Sequence, residues 1–481
     1  MRVLLSWAHS GPEMKILFEA LKSDGHDVVY WIGENGGGHM VPEGAIFHDH
    51  YEAWDGKPAQ AFARNRCTPP SLADLHNQRE LESLVLTMMN KRYDQSPTDE
   101  RKQIYFDMLA YWREVLEVSK PEAVIFTTVP HSVYDYILYS LASTLGLRTL
   151  MFEDSWVAGR LIWFKDYRKG SEEFARKLEL NSRAEVNVDD LHIELQKYYR
   201  SQTGQSPIKP AYMVAQESKG TGLALLRHRI RAATKAVISG QLPSLAFSYM
   251  KRTFGENLRK EYSKLVVTPD LKTKFVYFPL GFQPERTTSP QGGDYCDQIL
   301  VAQTLAAALP SDWKIYIKEH PSQWWLRTKT SYSSSRYKGY YKRLAQISNV
   351  YLVPIDTSSH ELIARAQTVA TVTGTAGWEA LFRFKKPLIF GFPWYLPVPH
   401  MFKVKGVDDC KKAFAELERS PYISEIDLLR VLKSFEESSM AGYVGMIRDY
   451  LDKVTNDVPV TAMDSYNKIA RIMCSELREP I

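Results

Sequence analysis

Short apolar runs, each closed by glycine, proline or a polar cluster and followed by a stretch of helical periodicity, recur in two separate blocks of this chain. That alternation leaves few folds open, because strand, loop, helix, strand packs as a parallel α/β sheet with helices on its faces. In the first block, residues 2–7 (RVLLSW) predict a strand, and a loop with His9, Ser10, Gly11 and Pro12 leads to a helix over 13–24. Strands follow at VVYWIG, GAIFHDH (44–50), PEAVIFTT (121–128) and RTLMFE (148–153), with helical patterns over 70–119 and 131–145 between them. The second block repeats the alternation from residue 274. KFVYFPL, WKIYIKEH (313–320), VYLVP (350–354), TVATVTG (368–374) and KPLIFG (386–391) read as strands, and residues 297–310, 359–366 and 375–384 as helices. A chain of 481 residues is too long for one ordinary core, so two Rossmann-like units are expected.

Between the blocks the alternation stops. Residues 181–265 are polar and helical in pattern, and from 227 to 264 they are rich in Lys and Arg interleaved with apolar residues. That segment reads either as a solvated helical face or as a basic amphipathic surface lying against anionic lipid. The expected organisation is an N-terminal Rossmann-like unit over 1–180, a basic helical insertion over 181–265, a second Rossmann-like unit over 266–407, and helices over 408–481 that can pack back on the first unit. The contents, 44% hydrophobic and 24% charged, are those of a soluble globular protein. Four scattered cysteines form no CxxC pair, which argues against a zinc site or disulfide framework and for a reducing compartment. No signal-peptide pattern and no membrane-length apolar run occur, so a cytoplasmic location is expected, with attachment to the inner membrane face left open. No aromatic-basic strand stripe or recognition-helix pattern points to nucleic acid.

Open α/β sheets present ligands at the carboxyl ends of their strands, and three such loops of the second block carry unusual residues. The first is Lys318-Glu319-His320-Pro321. Proline ends the strand and keeps the preceding residue extended, so His320 projects at the sheet edge, with Lys318 two residues back on the same side. An imidazole there can donate to a phosphate or protonate a leaving phosphate oxygen; a plain surface Lys–His pair is the alternative. The second loop is Thr373-Gly374-Thr375-Ala376-Gly377, running into a helix that carries Glu379. Small residues let backbone amides approach an anion at a helix N-terminus, and Glu379 is placed to accept from ribose hydroxyls. A tight turn with a capping threonine and a helix-dipole glutamate would look the same. The third loop holds Gln283, Glu285, Arg286, Thr287, Thr288, Gly292 and Gly293. A polar loop of that length is commonly functional, and Arg286 is a candidate clamp for phosphate or carboxylate; Asp294 or the threonines merely capping the next helix is the alternative. All three loops belong to one unit and to equivalent strand ends, which converges on a nucleotide-phosphate site.

In the first block, Glu153 and Asp154 close a strand expected to be central. A carboxylate in such a place can act as base or nucleophile, and adjacent residues on a strand face opposite ways, so at most one of the two is expected to act, Glu153 by preference; a carboxylate capping the following turn is the alternative. His48, Asp49 and His50 form an HDH string, but no carboxylate or cysteine at a recognised ligand spacing supports a metal. A satisfied loop, or contact of His48 and Asp49 with a substrate that accepts the transferred group, is the reading preferred to a metal. No metal and no cofactor are expected. Asp189-Asp190 and Asp408-Asp409 precede helical patterns, where acids are explained by the helix dipole.

Lys318-Glu319-His320-Pro321, followed by Thr373 through Leu381 and by Lys386-Pro387, resembles the bacterial capsule polysaccharide biosynthesis family, which includes the β-Kdo transferases. Gln283 after an apolar strand fits it as well. The resemblance implies a GT-B fold, with two Rossmann-like domains facing a cleft, the first for the acceptor and the second for the donor. It implies a CMP-activated ulosonic acid as co-substrate and a glycan or glycolipid acceptor. Residue by residue, it places His320 with Pro321 on the donor phosphate, Thr373, Thr375 and Gly377 along the phosphate and ribose pocket, and Glu379 on the ribose. The segment from Phe152 to Arg160 is the counterpart of an acidic, glycine- and arginine-bearing motif in the first domain of those transferases. A sugar-nucleotide epimerase or hydrolase on the same fold, and a non-catalytic polysaccharide assembly subunit, are the competing readings.

Overall fold

The computed structural model describes residues 1–63, 67–155, 157, 159–204, 258–324, 336–444 and 460–479. The basic segment expected over 227–264 therefore lies outside the described residues up to position 257, as do Trp156 and Ala158.

The first sheet is built around β1 (Arg2–Ser6), which pairs in parallel with β2 (Asp27–Gly33) on one side and β4 (Ala123–Phe126) on the other. β3 (Ile46–Asp49) extends it beyond β2, and β5 (Arg148–Asp154) beyond β4. The inner strands are continuous apolar runs because helices cover both faces. α1 (Met14–Ser23) packs on the face carrying Val3, Leu5, Trp7, Ile125 and Phe152. α2 (Thr98–Ser119) and α3 (Tyr134–Thr144) cover the face carrying Leu4, Tyr30, Val124, Phe126 and Met151. The seven-stranded order makes β4 the middle strand, so β5 is not central as expected.

The chain after β5 also departs from the expected pattern. It turns through Ser155, whose Oγ donates to the Arg160 carbonyl at 2.6 Å, and through Gly159 at φ 65°. It then returns antiparallel as β6 (Arg160–Phe164). A two-strand hairpin needs only a short turn, and RLIWF follows too closely on β5 for a helical crossover. α4 (Glu172–Leu180) and α5 (Ile193–Thr203) follow.

The second sheet is wholly parallel and centred on β7 (Phe275–Pro279), flanked by β8 (Lys314–Lys318) and β10 (Thr368–Thr371). β9 (Val350–Leu352) lies outside β8; β11 (Leu388–Ile389) and β12 (Phe402–Lys403) lie outside β10. α6 (Gln298–Ala308) and α9 (Val407–Arg419) cover one face. α7 (Ser359–Arg365) and the seven-residue α8 (Thr375–Leu381) cover the other.

Beyond α9 the chain returns to the first unit. α10 (Glu425–Ser438) packs on α4, with Phe435 edge-on to Phe174 at 5.9 Å. β13 (Met440–Ala441) then pairs antiparallel with β6, and α11 (Ala462–Arg478) lies along α1. The two units share a continuous apolar core in which Trp378, Trp394 and Tyr395 of the second unit pack with Phe174 and Tyr167 of the first. The result is the two-unit GT-B arrangement, with α4, α5 and α10 bracing the junction.

Candidate active site

At the end of β8 the alternation of a strand sends successive side chains to opposite sides. Lys318 is buried and its Nζ donates to the Thr357 carbonyl at 2.7 Å. Burial pushes its amine down to about 8, against the pull of Asp356 and Glu379. Glu319 turns inward and is fully buried. It accepts from Arg336 Nε at 2.8 Å and Tyr341 Oη at 2.7 Å, and the backbone amide of His320 donates to it at 2.7 Å. His320 remains half-buried, its ring 5.7 Å from that of Phe282. The Ser322 amide donates to His320 Nδ1 at 3.2 Å. An amide can only donate, so Nδ1 is unprotonated and Nε2 carries the proton.

Arg336 escaped the sequence reading, since nothing in the polar stretch around it sets it apart. It is fully buried, and besides Glu319 it donates to Gln283 Oε1 and to the Gly281 carbonyl, with Tyr340 stacked at 4.6 Å. Gln283, expected at the donor, has its amide drawn into this framework. Its Nε2 donates to the Cys296 carbonyl at 2.6 Å, and its backbone exchanges hydrogen bonds with Gln323.

The loop after β10 interlocks with the loop after β7. Thr373 Oγ1 donates to the Thr287 carbonyl. Thr371 Oγ1 accepts from the Gly374 amide at 3.0 Å, so the turn is closed by Thr371 and not by a capping Thr375. Gly377 is buried, and a Cβ there would meet Tyr395 Oη at 2.8 Å and Thr371 Cγ2 at 2.9 Å. Its smallness serves the packing of α8 on the sheet. Thr375 stays exposed and hydrogen-bonds Glu379. Burial raises the Glu379 carboxyl, while Thr375, Arg383 and Lys318 hold it down. After β7, Asp297 caps α6 by accepting from the Ile299 and Leu300 amides, so neither Asp294 nor the threonines do so. Glu285 Oε1 accepts from the Arg286 amide at 3.2 Å.

The two units meet at Glu153. Arg286 Nη2 donates to Glu153 Oε1 at 3.0 Å, and Gln291 Nε2 to Glu153 Oε2 at 3.1 Å. Arg286 Nη1 donates to Thr128 Oγ1 at the end of β4. Burial raises the Glu153 carboxyl, and Arg286 and then Gln291 counter it. Asp154 takes the other face, where it accepts from the Val444 amide at 3.3 Å beside Tyr466. His131, in the loop after β4, donates from Nδ1 to the Val129 carbonyl at 2.8 Å. Burial, then Lys91 and Arg286, push its imidazole down to about 3. Asp135, which accepts from the Ser132 amide at 2.6 Å, is pushed up by burial to about 6. Val133 between them adopts φ 61°, a conformation that a β-branched residue takes only under the constraint of its surroundings. Thr128 and His131 were legible in principle, because a Thr-Thr-Val-Pro-His string follows an apolar strand just as Glu-His-Pro does in the second unit. Arg160 is consumed elsewhere, in a 2.9 Å ion pair with Glu194 and hydrogen bonds to Ser439 and Glu436.

The HDH string divides among three local tasks. His48 Nε2 donates to the Lys57 carbonyl at 3.0 Å, its Nδ1 accepts from Tyr30 Oη at 2.9 Å, and burial pushes it down to about 4. Asp49 accepts from the Tyr51 and Glu52 amides as a helix cap. His50 is bonded to Tyr134 Oη at 2.7 Å. Among the described residues no cluster of three His, Cys, Asp or Glu side chains is arranged to hold a metal ion.

Asp154 yields a prediction in pH. Burial pushes its carboxyl up to about 7 from the ordinary 3.8. Between those values the folded chain binds the extra proton, so this group's contribution to stability falls as pH rises through the window. Wild-type stability relative to Asp154→Asn should therefore decline from about pH 4 to about pH 7, read by urea melts across that range. A difference independent of pH would show that the carboxyl titrates normally. His48 has the opposite sign, since its depressed imidazole adds stability that is lost as pH falls toward 4.

With this geometry in view, the fold and site define an α/β protein of two Rossmann-like units joined through an apolar core and a buried polar contact, with the loop after β7 of the second unit reaching an acidic strand end of the first. The chain resembles the capsule polysaccharide biosynthesis family with its β-Kdo transferases, and residues 275–398 match the family model described as capsule polysaccharide biosynthesis protein. No curated protein matches the sequence. Solved structures similar to it include KpsC of Thermosulfurimonas dismutans, a beta Kdo 2,4 transferase, at 14% identity over 65% of this chain and 79% of that one, with a TM-score of 0.28. The UDP-GlcNAc 2-epimerase of Neisseria meningitidis, bound to UDP-GlcNAc, aligns at 11% identity over 99% of each chain with a TM-score of 0.25.

Proposed function

We propose that this chain is a glycosyltransferase that moves a Kdo-like or other nonulosonic acid from a CMP-activated donor onto a glycan acceptor in surface polysaccharide synthesis. The observation that carries this reading is the loop after β7 in the family-matched unit, whose Arg286 and Gln291 reach Glu153 of the other unit. A donor held at the strand ends of the second sheet would face a carboxylate held by the first. In the step we infer, the acceptor hydroxyl gives its proton to Glu153 as its oxygen bonds the anomeric carbon. The bond from that carbon to the phosphate oxygen breaks, and its electron pair leaves on the phosphate. Fixed charges and amides would stabilise that charge: His320, Lys318, Arg286 and the turn at 374–377. A cytoplasmic location belongs to the same reading, with the basic segment against the inner membrane face. Among the described residues no helix is long and apolar enough to cross a membrane.

Binding to the native state raises its melting temperature by mass action. In a thermal-shift panel of CMP, UDP, GDP and ADP, CMP should therefore give the largest shift. A clear preference for UDP or GDP would remove the CMP assignment. Turnover of the donor without an acceptor would favour the epimerase or hydrolase reading, and binding without turnover the assembly subunit.

Because the leaving phosphate is expected to be neutralised by protein groups, EDTA should leave transfer largely intact. A CMP leaving group, with one phosphate, also needs less neutralisation than a diphosphate. Activity abolished by chelation and restored by magnesium or manganese would contradict this.

A further inference from the structure

We propose that Arg286 is shared between two anions: in the empty protein it covers Glu153, and on donor binding it passes to the donor phosphate, which uncovers Glu153 for the acceptor. The inference rests on the nucleotide-sugar reading above. Glu153 is 4% exposed, with Oε1 taken by Arg286 at 3.0 Å and Oε2 by Gln291 at 3.1 Å. Each oxygen could accept one more hydrogen bond, but buried under these partners the carboxylate is closed to an acceptor hydroxyl until one of them moves. Arg286 is the partner built to do so. Its side chain keeps 16% of its surface open against 5% for that of Glu153, and its second nitrogen rests on a neutral hydroxyl, Thr128.

The backbone carrying Arg286 is fixed, while the long side chain can swing. Thr373 holds the Thr287 carbonyl on one side of it, and Gln283 is tied to Gln323 and Cys296 on the other. A phosphate offers a guanidinium the same forked geometry as a carboxylate, with more negative charge. Lys91 and His131 lie on the first-unit side of Arg286. Glu285 beside it in sequence, Tyr395 near Glu153, and Asp154 on the opposite face complete the charged surroundings. The exchange makes the carboxylate available only when a donor is in place, and it couples donor binding to a contact between the two units.

Competition of this kind has a thermodynamic signature. If Glu153 and the phosphate contend for one arginine, neutralising Glu153 must strengthen nucleotide binding, because coupling between two ligands of one group is reciprocal. The test is calorimetric titration with CMP of wild type, Glu153→Gln, Arg286→Lys and the Glu153→Gln/Arg286→Lys double variant, each checked by its melting curve. Glu153→Gln should bind roughly five-fold or more tightly than wild type. Arg286→Lys should bind more weakly, having lost the fork, and the double variant should not recover the gain. Equal or weaker binding by Glu153→Gln, with CMP still bound by wild type, would overturn the exchange and leave the nucleotide-sugar reading standing. Failure of every form to bind any nucleotide of the panel would overturn both.

Discussion

Replacing His320 by alanine is expected to lower turnover by ~10²–10⁴ while the melting temperature stays close to that of the wild type. The asymmetry follows from how the loop is held. Glu319 and Arg336 anchor the end of β8 from inside, and the His320 backbone amide is bound to Glu319 whatever side chain it carries. Removing the imidazole therefore takes from the loop the bond to the Ser322 amide and the ring packing on Phe282, while the backbone anchor stays. The chemical loss is larger. With Nδ1 accepting from that amide, Nε2–H is the nitrogen able to donate to a phosphate oxygen, and no neighbouring residue in Glu-His-Pro can replace it. Steady-state rates and thermal melts on the same preparations decide the matter. Near-normal turnover in His320→Ala would make the His-Pro loop structural, and a large fall in melting temperature would mean that the activity loss says nothing about chemistry.

Arg336→Ala should have the largest effect on stability, roughly 3–5 kcal/mol. Both partners of the Arg336–Glu319 pair are wholly buried. Removing the guanidinium strands a carboxylate in the core and also frees Gln283 Oε1 and the Gly281 carbonyl. Breaking a buried pair on one side is costly even where the intact pair adds little, because the lone charge keeps its desolvation penalty. The double variant Arg336→Met/Glu319→Gln should recover part of the loss, since it leaves no charge behind. Urea denaturation of the single and double variants reads this directly. A single variant as stable as wild type would show that water reaches Glu319. Because Gln283 and Gly281 begin the loop that carries Arg286, the single variant should also lose nucleotide affinity.

The positions of the strand-end loops of the second unit could be read from residue pattern, since each follows an apolar strand of the second sheet. Lys318, His320, Thr373 and Arg286 were located at strand ends because period-two runs followed by Pro or Gly admit little else. Their partners could not be read. The sequence offers a phosphate or a carboxylate for Arg286, and only the fold shows that the carboxylate is Glu153 of the other unit, with Thr128 beside it. It suggests a nucleotide contact for Gln283, whereas the fold ties that amide to Arg336 and Cys296. The β5–β6 hairpin is not legible because RLIWF is too short to show a period of its own, and the strand that covers its outer edge, β13, arrives almost 280 residues later.

What the chain determined by itself is therefore local: the alternation of strand and helix, the split into two units, and the strand ends where polar side chains collect. Backbone geometry sets those, and it repeats every two residues in a strand and every 3.6 in a helix. Which charge meets which was decided only in three dimensions. The Arg286–Glu153 pair joins residues 133 apart in the chain, and an ion pair depends on separation in space and on how little water remains around it. Neither quantity exists until the two sheets have packed against each other.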